Sequence, residues 1–210
     1  MYANQSEIVY QKQKINLSSP WEKISVNEAF RKYADIDFEQ ITNKNFKTDD
    51  KIFSREKITT VARKKGYTIT AQNTWETIFN QIFLNEIESH LGSHGRPTII
   101  YDYPRPMAAL AKIKESDTRL AERFELYIGG LELGDCYTEL TDYQEQKNRF
   151  FEEIIKIKQL KKTKIVPDLD FISALKHGLP KCSGMAIGID RIVMLFTNTV
   201  SIQETKFSYS

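Results

Sequence analysis

Cysteine, glycine and proline are all scarce in this chain of 210 residues, which has two cysteines, nine glycines and six prolines. Cys136 and Cys182 form no CxxC pair, which argues against a disulfide scaffold and favours a reducing compartment. No apolar run approaches the roughly 18 residues that a membrane-spanning helix needs. The first residues, MYANQSEIVYQ, have neither the basic start nor the apolar stretch of a signal peptide. We therefore expect a soluble, cytoplasmic protein that has no membrane partner.

An excess of charge of either sign is also missing. Thirty Lys and Arg residues against 28 Asp and Glu residues leave a formal net charge of +2. The net charge therefore gives no indication that the chain binds nucleic acid. Hydrophobic residues make up 40% and charged residues 28% of the chain, which excludes disordered, collagen-like and coiled-coil proteins. The length suits one large domain or two small ones.

The first half of the sequence predicts a short hairpin followed by helices. Residues 8–16 have the pattern of a strand or hairpin. Ser25-Val-Asn-Glu28 matches the capping box that begins a helix, here expected to end near Tyr33. One or two short helices are expected within 37–67. Apolar residues at steps of three and four predict an amphipathic helix over 75–87.

Strands dominate the second half. A buried strand is expected at 98–101, and the alternation of residues 122–128 predicts a strand with Phe124 and Arg123 on opposite faces. Gly129-Gly130 is typical of a tight hairpin turn, because glycine adopts positive φ freely. The elements expected after the turn are a strand over 131–140, a helix capped by Thr141 through Leu160, a helix at 169–177, a strand at 183–189 and a helix capped by Asp190. Antiparallel strands interrupted by helices indicate an α+β fold, an antiparallel sheet flanked by helices.

Four acidic residues fall within eleven positions on or just after the second strand of the hairpin: Glu132, Asp135, Glu139 and Asp142. Carboxylates concentrated on a sheet suit a cationic guest, either Mg²⁺ or an amine. In a regular strand Asp135 and Glu139 share a face and Glu132 points the other way. A bulge at Gly134 would turn Glu132 toward them. An exposed edge with solvated acids is the alternative interpretation.

A second candidate is SGMAIGIDRIVMLFTN, residues 183–198. Its small residues allow a ligand to approach the backbone of the strand closely, and Gly188 offers an amide there. Arg191, at the start of the next helix, could bind phosphate oxygens in a fork or lie flat against an adenine ring. The alternative is a corner between strand and helix that carries a surface arginine. Arg123 and Glu125 could likewise face the same site, or form only a cross-strand salt bridge.

A run of lysines suggests nucleic-acid binding, but no aromatic residues are interleaved with it, and cations at a helix end favour the helix dipole. The lysines are Lys156, Lys158, Lys161, Lys162 and Lys164. The three histidines have no metal-ligand spacing, so no zinc site is expected. P-loop and GxSxG patterns are missing as well.

Three segments together resemble the C-terminal half of a class II aminoacyl-tRNA synthetase catalytic domain of the lysyl type. AERFELYIGGLELGDCYTELTD (121–142) is similar to that family's substrate strand pair, and GMAIGIDRIVMLFTNTVSIQET (184–205) to its third signature motif. IVYQKQKINLSSPWEKISVNEAF (8–30) resembles the segment after the second signature motif. The resemblance covers about residues 7–208. It implies a single class II catalytic domain over 1–210, with a probable helical insertion at 35–95.

The resemblance implies a role for each matching residue. Glu132 would hold Mg²⁺ and ATP, with Leu133 beside the nucleotide, and Gly188 would lie against ATP while Arg191 binds its phosphates. Glu132 and Arg191 would be the catalytic residues. The substrate's amino groups would be bound by Glu139. The remaining residues implied to line the substrate pocket are Asp135, Tyr137 and Ala186.

Other features resemble the smaller branch of the family, which ligates (R)-β-lysine to elongation factor P. Ala186 stands where lysyl-tRNA synthetases usually have glycine, and YDYPRPMAALA (101–111) and the end at Phe207-Ser208 look like that branch. An anticodon-binding barrel is not expected, as in that branch. Asp135 departs from both branches, which usually have asparagine there.

The first and second signature motifs should lie before residue 7, and Phe53-Ser-Arg-Glu56 is not expected to replace the second, because its context is helical and rich in lysine. The catalytic domain is therefore expected to be incomplete, with a possible N-terminal half or a homodimer as partner. The resemblance implies an ATP-dependent ligase that activates lysine or (R)-β-lysine as an adenylate, for transfer to elongation factor P or tRNA. A non-catalytic binding or regulatory module, or a truncated fragment, is the alternative.

Overall fold

The first half of the chain forms the predicted hairpin and a set of helices. The computed structural model describes residues 6–43, 52–159 and 168–206. The elements are β1 (Glu7–Tyr10), β2 (Gln13–Asn16), β3 (Glu22–Ser25), α1 (Val26–Ala34), α2 (Phe38–Ile41), α3 (Arg55–Lys64), α4 (Trp75–Ile82) and the π-helical Phe83–Ile87. Helix α4 thus continues into a π-helical turn, which is followed by a 3-10 turn, Glu88–His90.

The second half supplies most of the sheet. Gly129 and Gly130, with φ of 62° and 78°, form the predicted hairpin turn between the two longest strands. The elements are β4 (Thr98–Pro104), β5 (Leu120–Ile128), β6 (Leu131–Thr138), α5 (Tyr143–Gln159), α6 (Leu169–Leu175), β7 (Ser183–Ile187) and α7 (Ile189–Thr197).

Five strands make one sheet in the order β3-β4-β5-β6-β7. The α+β prediction is confirmed, and the pairs from β4 to β7 are antiparallel as expected. The β3–β4 pair is parallel, with Ile24 opposite Ile100. Parallel neighbours need a long crossover, and here helices α1 to α4 provide it.

Two predicted helix caps are wrong, whereas the capping box of α1 is confirmed. Ser25 Oγ accepts from the amide of Glu28 at 3.2 Å, and the Glu28 carboxylate accepts from the Ser25 amide at 2.8 Å. Helix α5 is capped by Asp142 rather than Thr141, since Asp142 accepts from the Glu145 amide at 2.7 Å. Helix α7 begins after Gly188 rather than Asp190, because the Gly188 amide donates to the Leu133 carbonyl and fixes the turn there.

Hydrophobic clusters pack against both faces of the sheet. On one face, Ile100 and Tyr127 pack with Phe30 and Phe79 of the helices. On the other, Ile128, Leu133 and Leu195 of α7 pack with the β1–β2 hairpin. The helices of the first half cover the first face over β3, β4 and β5. Polar residues occupy the same face on β6, and the predicted site residues Glu132, Asp135 and Tyr137 are among them.

Some expectations concern parts of the chain that the structure does not describe. The side chains of Lys156 and Lys158, and residues 160–167 with the other three lysines of the run, lie outside the described residues. Within the described ranges, no helix is long and apolar enough to cross a membrane.

Candidate functional site

A bulge in β6 brings the acidic residues together. Leu126 pairs with Gly134 and Tyr127 pairs with Glu132, so Leu133 is an extra residue in β6 without a partner in β5. Glu125 lies opposite Asp135. Since Glu125 and Tyr127 share a face of β5, their partners Asp135 and Glu132 share it too. A bulge that turns Glu132 toward the other acids is therefore present, one residue before Gly134.

The same face extends onto the neighbouring strand. Ala186 pairs with Asp135, and Gly184 pairs with Tyr137. The predicted residues on this face are Glu132, Asp135, Tyr137 and Ala186. The side chain of Leu133 instead lies buried in the cluster on the opposite face, so only its backbone remains near the Gly188 amide that it binds.

Arg123 is the centre of a polar network on this face. Its guanidinium donates to Glu125 Oε1 at 2.7 Å, to both oxygens of Asp135 at 3.1 Å and to the Met107 carbonyl at 2.6 Å. It also lies 4.4 Å from the ring centroid of Tyr103. Burial opposes the charge of Arg123, but the carboxylates of Glu125 and Asp135 outweigh it and raise the pKa.

Two tyrosines complete that network. The Tyr137 hydroxyl donates to Asp135 Oδ2 at 2.5 Å, and the Tyr127 hydroxyl donates to Glu125 Oε2 at 2.9 Å. Burial raises the pKa of the Glu125 carboxyl, and the neighbouring Arg123 only partly offsets this. Burial likewise raises the pKa of both tyrosines, so they remain protonated donors at neutral pH. Glu125 is thus a buried member of the site, not simply half of a cross-strand salt bridge.

Arg191 reaches the face from the first turn of α7. Its Nη1 donates to the Glu132 carbonyl at 2.7 Å and lies 3.2 Å from the Glu132 carboxylate. Both side chains remain partly exposed, at 43% and 34%. The side-chain carbons of Arg191 pass close to Gly188, where an added Cβ would meet them at 3.5 Å. The predicted nucleotide residues Glu132, Gly188 and Arg191 therefore do come together.

Glu139 lies just beyond the end of β6, beside the end of β7. Its amide donates to the Cys182 carbonyl at 3.0 Å, and a Cβ added to Gly184 would fall 2.5 Å from its Oε1. No hydrogen bond or ion pair to the Glu139 carboxylate occurs among the residues that the structure describes. Gly184 thus leaves space for the half-buried carboxylate of Glu139, which can bind a cation.

Glu88 is a site residue that the sequence patterns did not indicate. It lies in the 3-10 turn Glu88–His90, inside the segment predicted as a helical insertion. Burial and the nearby charge of Glu132 raise the pKa of its carboxyl, while Arg191 acts in the opposite direction. No local motif marks this residue, because it reaches the site only through the packing of the helices against the sheet.

The carboxylates on this face of the sheet are suitable ligands for a hard cation, but they do not supply a complete coordination shell. Burial raises the pKa of both Glu88 and Glu125, and the charge of Glu132 adds to the rise at each. Within the described residues, no three His, Cys, Asp or Glu side chains are arranged to hold a metal ion by themselves. Mg²⁺ usually takes one or two protein carboxylates and completes its shell with phosphate oxygens and water, so Glu132 and its neighbours fit that ion when a phosphate is present.

Sequence comparison finds several proteins that are similar to this chain over most of its length. The sequence model of the tRNA synthetases class II (D, K and N) matches residues 3–207. The lysine–tRNA ligase of Wigglesworthia glossinidia brevipalpis is 36% identical over 203 residues, 96% of this chain and 38% of that protein. The lysine–tRNA ligase of Pelotomaculum thermopropionicum is 35% identical over 199 residues, 95% of this chain and 37% of that protein.

A relative of the other branch is also similar. The elongation factor P–(R)-β-lysine ligase of Haemophilus ducreyi is 40% identical over 155 residues, 72% of this chain and 46% of that protein. The chain thus spans less than half the length of each of these three relatives.

Proposed function

This chain belongs to the class II tRNA synthetases of the D, K and N type, and from that membership we infer that it is the part of an ATP-dependent ligase that binds lysine or (R)-β-lysine and ATP. The amino acid would be activated as an adenylate and passed to elongation factor P or to tRNA. The observation that carries the proposal is the bulge at Leu133, which gathers Glu132, Asp135 and Tyr137 on one face beside Arg191.

The reaction needs positioning and charge stabilisation more than a protein nucleophile. A carboxylate oxygen of the amino acid attacks the α-phosphorus of ATP. The bond from that phosphorus to the bridging oxygen breaks, and pyrophosphate leaves with the electron pair. The acceptor, an amine or a tRNA hydroxyl, then attacks the acyl carbon and releases AMP.

The amino acid would lie over the end of β6 and β7. Glu139 is assigned to the amino groups, because its carboxylate has no partner among the described residues and Gly184 leaves space beside it. Tyr137 and Asp135 form the wall of the pocket and Ala186 its floor. Asp135 is already bound to Arg123 and Tyr137, so its role is to hold the wall in place.

The nucleotide would lie toward α7. Arg191 is assigned to its phosphates, with the backbone of Leu133 and Gly188 alongside and Glu132 as the carboxylate for Mg²⁺. Bound Mg²⁺ would supply positive charge to the phosphate oxygens. Arg191 pairs with Glu132 in this structure. When ATP and Mg²⁺ bind, Arg191 would pair with the phosphate and Glu132 with the cation.

Exchange of labelled pyrophosphate into ATP tests the proposal, with L-lysine and (R)-β-lysine offered in parallel. The amino acid that supports exchange identifies the branch. Glu132→Ala should abolish exchange, whereas Glu115→Ala should not change it, since Glu115 is 79% exposed and forms its ion pair with the nearby Lys112. Unchanged exchange in Glu132→Ala would refute the assignment.

A non-catalytic binding module is the second candidate. The observation in its favour is that Arg123 and Arg191 are both already paired with carboxylates. This function predicts that lysine or ATP raises the melting temperature while no pyrophosphate exchange occurs with either amino acid. Exchange above the Glu132→Ala background would exclude it.

A further inference from the structure

Residues 109–112 form a short segment that lies beside the end of β6, where Glu139 follows the strand. The Lys112 amide donates to the carbonyl of the residue before Glu139 at 2.8 Å, and the Leu110 carbonyl accepts from the amide of the residue after it at 3.0 Å. Between these two bonds, Ala111 and Glu139 are partners in an isolated antiparallel bridge. The position of the Glu139 backbone therefore depends on this segment.

The segment 109–112 has little support of its own. Ala109 has a φ of +50°, which is unfavourable for a residue with a Cβ and persists only where the surrounding structure holds it. Ala108 and Ala111 are buried in a small cluster with Ala121. Alanine side chains bury little apolar surface, so this packing contributes little stability. Other contacts are needed to hold the segment in place.

Arg149 of α5 supplies such contacts. Its Nη1 donates to the carbonyls of Ala109 at 3.2 Å and Ala111 at 2.9 Å. Its Nη2 binds the carboxylate of Glu145, one turn earlier on the same helix, which orients the guanidinium. The planar guanidinium presents several N–H donors at fixed angles, so it can bind these three acceptors at once. Arg149 thus connects the segment 109–112 to α5.

We propose that Arg149 is a positioning residue for the amino group of the substrate. It holds the segment 109–112, and the segment in turn holds the backbone of Glu139, whose carboxylate has space beside Gly184. Among the described residues, none of the hydrogen bonds of Arg149 goes to Glu139 itself, so the effect passes through the backbone. The inference rests on the proposed function, which assigns Glu139 to the amine. A displacement of about 1 Å can cost up to about a hundredfold in a site that depends on positioning.

Isothermal titration calorimetry on the whole chain tests this role, with ATP and with L-lysine or (R)-β-lysine, whichever the parent binds. Arg149→Ala should lower the affinity for the amino acid about tenfold and leave that for ATP unchanged, because ATP is assigned to Arg191 and Glu132. In the Glu139→Gln background, Arg149→Ala should cause no further loss, since residues that act through one another are not additive. A merely structural role would lower both affinities, or would add to the effect of Glu139→Gln.

Lys147→Ala is the matched control, because it removes the same charge from the same helix. The Lys147 Nζ lies 5.9 Å from the ring centroid of Tyr143, and this substitution should leave the affinity for the amino acid unchanged. Hydrogen–deuterium exchange reports the position of the segment without any ligand. The amides of Lys112 and Leu140 should exchange faster in Arg149→Ala than in the parent, but not in Lys147→Ala.

The two measurements separate this proposal from the proposed function. If the parent binds neither amino acid, the proposed function is wrong, and equal amide exchange in the parent and Arg149→Ala would overturn the positioning role as well. If the parent does bind one, unchanged affinity in Arg149→Ala, or a further loss in the Glu139→Gln background, would overturn it. Arg149→Lys retains the charge without the fork of donors, so it should give an intermediate loss, and it carries the same test if Arg149→Ala does not fold.

Discussion

Arg123 of β5 and Asp135 of β6 form a bidentate ion pair. Nε and Nη2 of Arg123 each lie 3.1 Å from a different carboxylate oxygen of Asp135, and the two side chains are only 13% and 21% exposed. A carboxylate at this position thus has an internal partner. Because Arg123 binds both of its oxygens, the chain can hold an aspartate where the family resemblance leads one to expect asparagine.

Removing that carboxylate should destabilise the fold. In Asp135→Ala the buried guanidinium loses one of its two acidic partners, which should lower the free energy of unfolding by about 3 kcal/mol. Asp135→Asn retains an acceptor oxygen for Arg123 and should lower it by about 1 kcal/mol. Urea denaturation measures both changes. Glu7→Ala breaks the exposed Lys14–Glu7 pair and should change stability by less than about 1 kcal/mol, so an equal effect in all three variants would contradict the argument.

The carboxyl of Glu88 should make stability depend on pH in a defined direction. Its pKa is raised in the folded chain by burial and by Glu132, so the folded state holds the proton more tightly than the unfolded state does. This contribution to stability is present below the ordinary glutamate pKa and is lost as the pH rises through the raised value. Glu88→Gln cannot lose a proton, so at pH 7 it should be more stable than the parent, by no more than about 1 kcal/mol because the group is half-buried and screened.

Thermal unfolding of the parent and of Glu88→Gln between pH 3.5 and 7 checks this sign. The difference between them should grow as the pH rises. A difference that is constant with pH, or that favours the parent at pH 7, would show that Glu88 does not titrate as described. Glu115→Gln supplies the comparison, because its carboxyl pKa is lowered by the hydrogen bond with Lys112 and its dependence on pH should have the opposite sign.

Gly92 should be the least replaceable glycine near the site. Its φ is +65°, and an added Cβ would lie 2.7 Å from the backbone carbon and oxygen of Tyr127. Neither atom can move without disturbing β5, so Gly92→Ala should cost about 3 kcal/mol of stability through strain and overlap together. Gly66 also has positive φ, +90°, but nothing lies within 4 Å of an added Cβ. Gly66→Ala should therefore cost only about 1 kcal/mol, and equal losses on denaturation would rule out the steric part of the explanation.

Much of this arrangement can be predicted from local patterns, and the remainder depends on contacts between distant segments. The Gly129-Gly130 turn and the alternation of β5 fix the hairpin. The sequence allows a bulge at Gly134, but that residue stays paired in the sheet, where an added Cβ would meet Met185 Cε at 2.5 Å and the Ala186 carbonyl at 2.9 Å. The extra residue is Leu133, whose apolar side chain gains burial on the opposite face.

Local sequence patterns do not predict the features that form only when distant segments pack together. Glu88 reaches the site because α4 and the turns after it pack on the sheet. The alternation of β5 places Glu125 on the same face as Arg123, but no spacing pattern indicates the bonds of Arg123 to Asp135 and to the Met107 carbonyl. Whether 35–95 is an insertion relative to the family stays a prediction, although its apolar residues pack in the same cluster as Ile100 and Tyr127.

Gly184→Ala tests the role of Glu139 without removing it. The added methyl group would fall 2.5 Å from Glu139 Oε1, and because that atom ends a flexible side chain, the carboxylate would move while the strand stays in place. Lysine affinity, measured by isothermal titration calorimetry, should fall about tenfold, as expected when a charged hydrogen bond is weakened. Ser183→Ala, one residue earlier on the same exposed strand, should leave affinity unchanged. Since both variants should melt close to the parent, weaker binding in Gly184→Ala alone would identify Glu139 as the group that binds the amine, and equal affinity in all three proteins would remove it from the site.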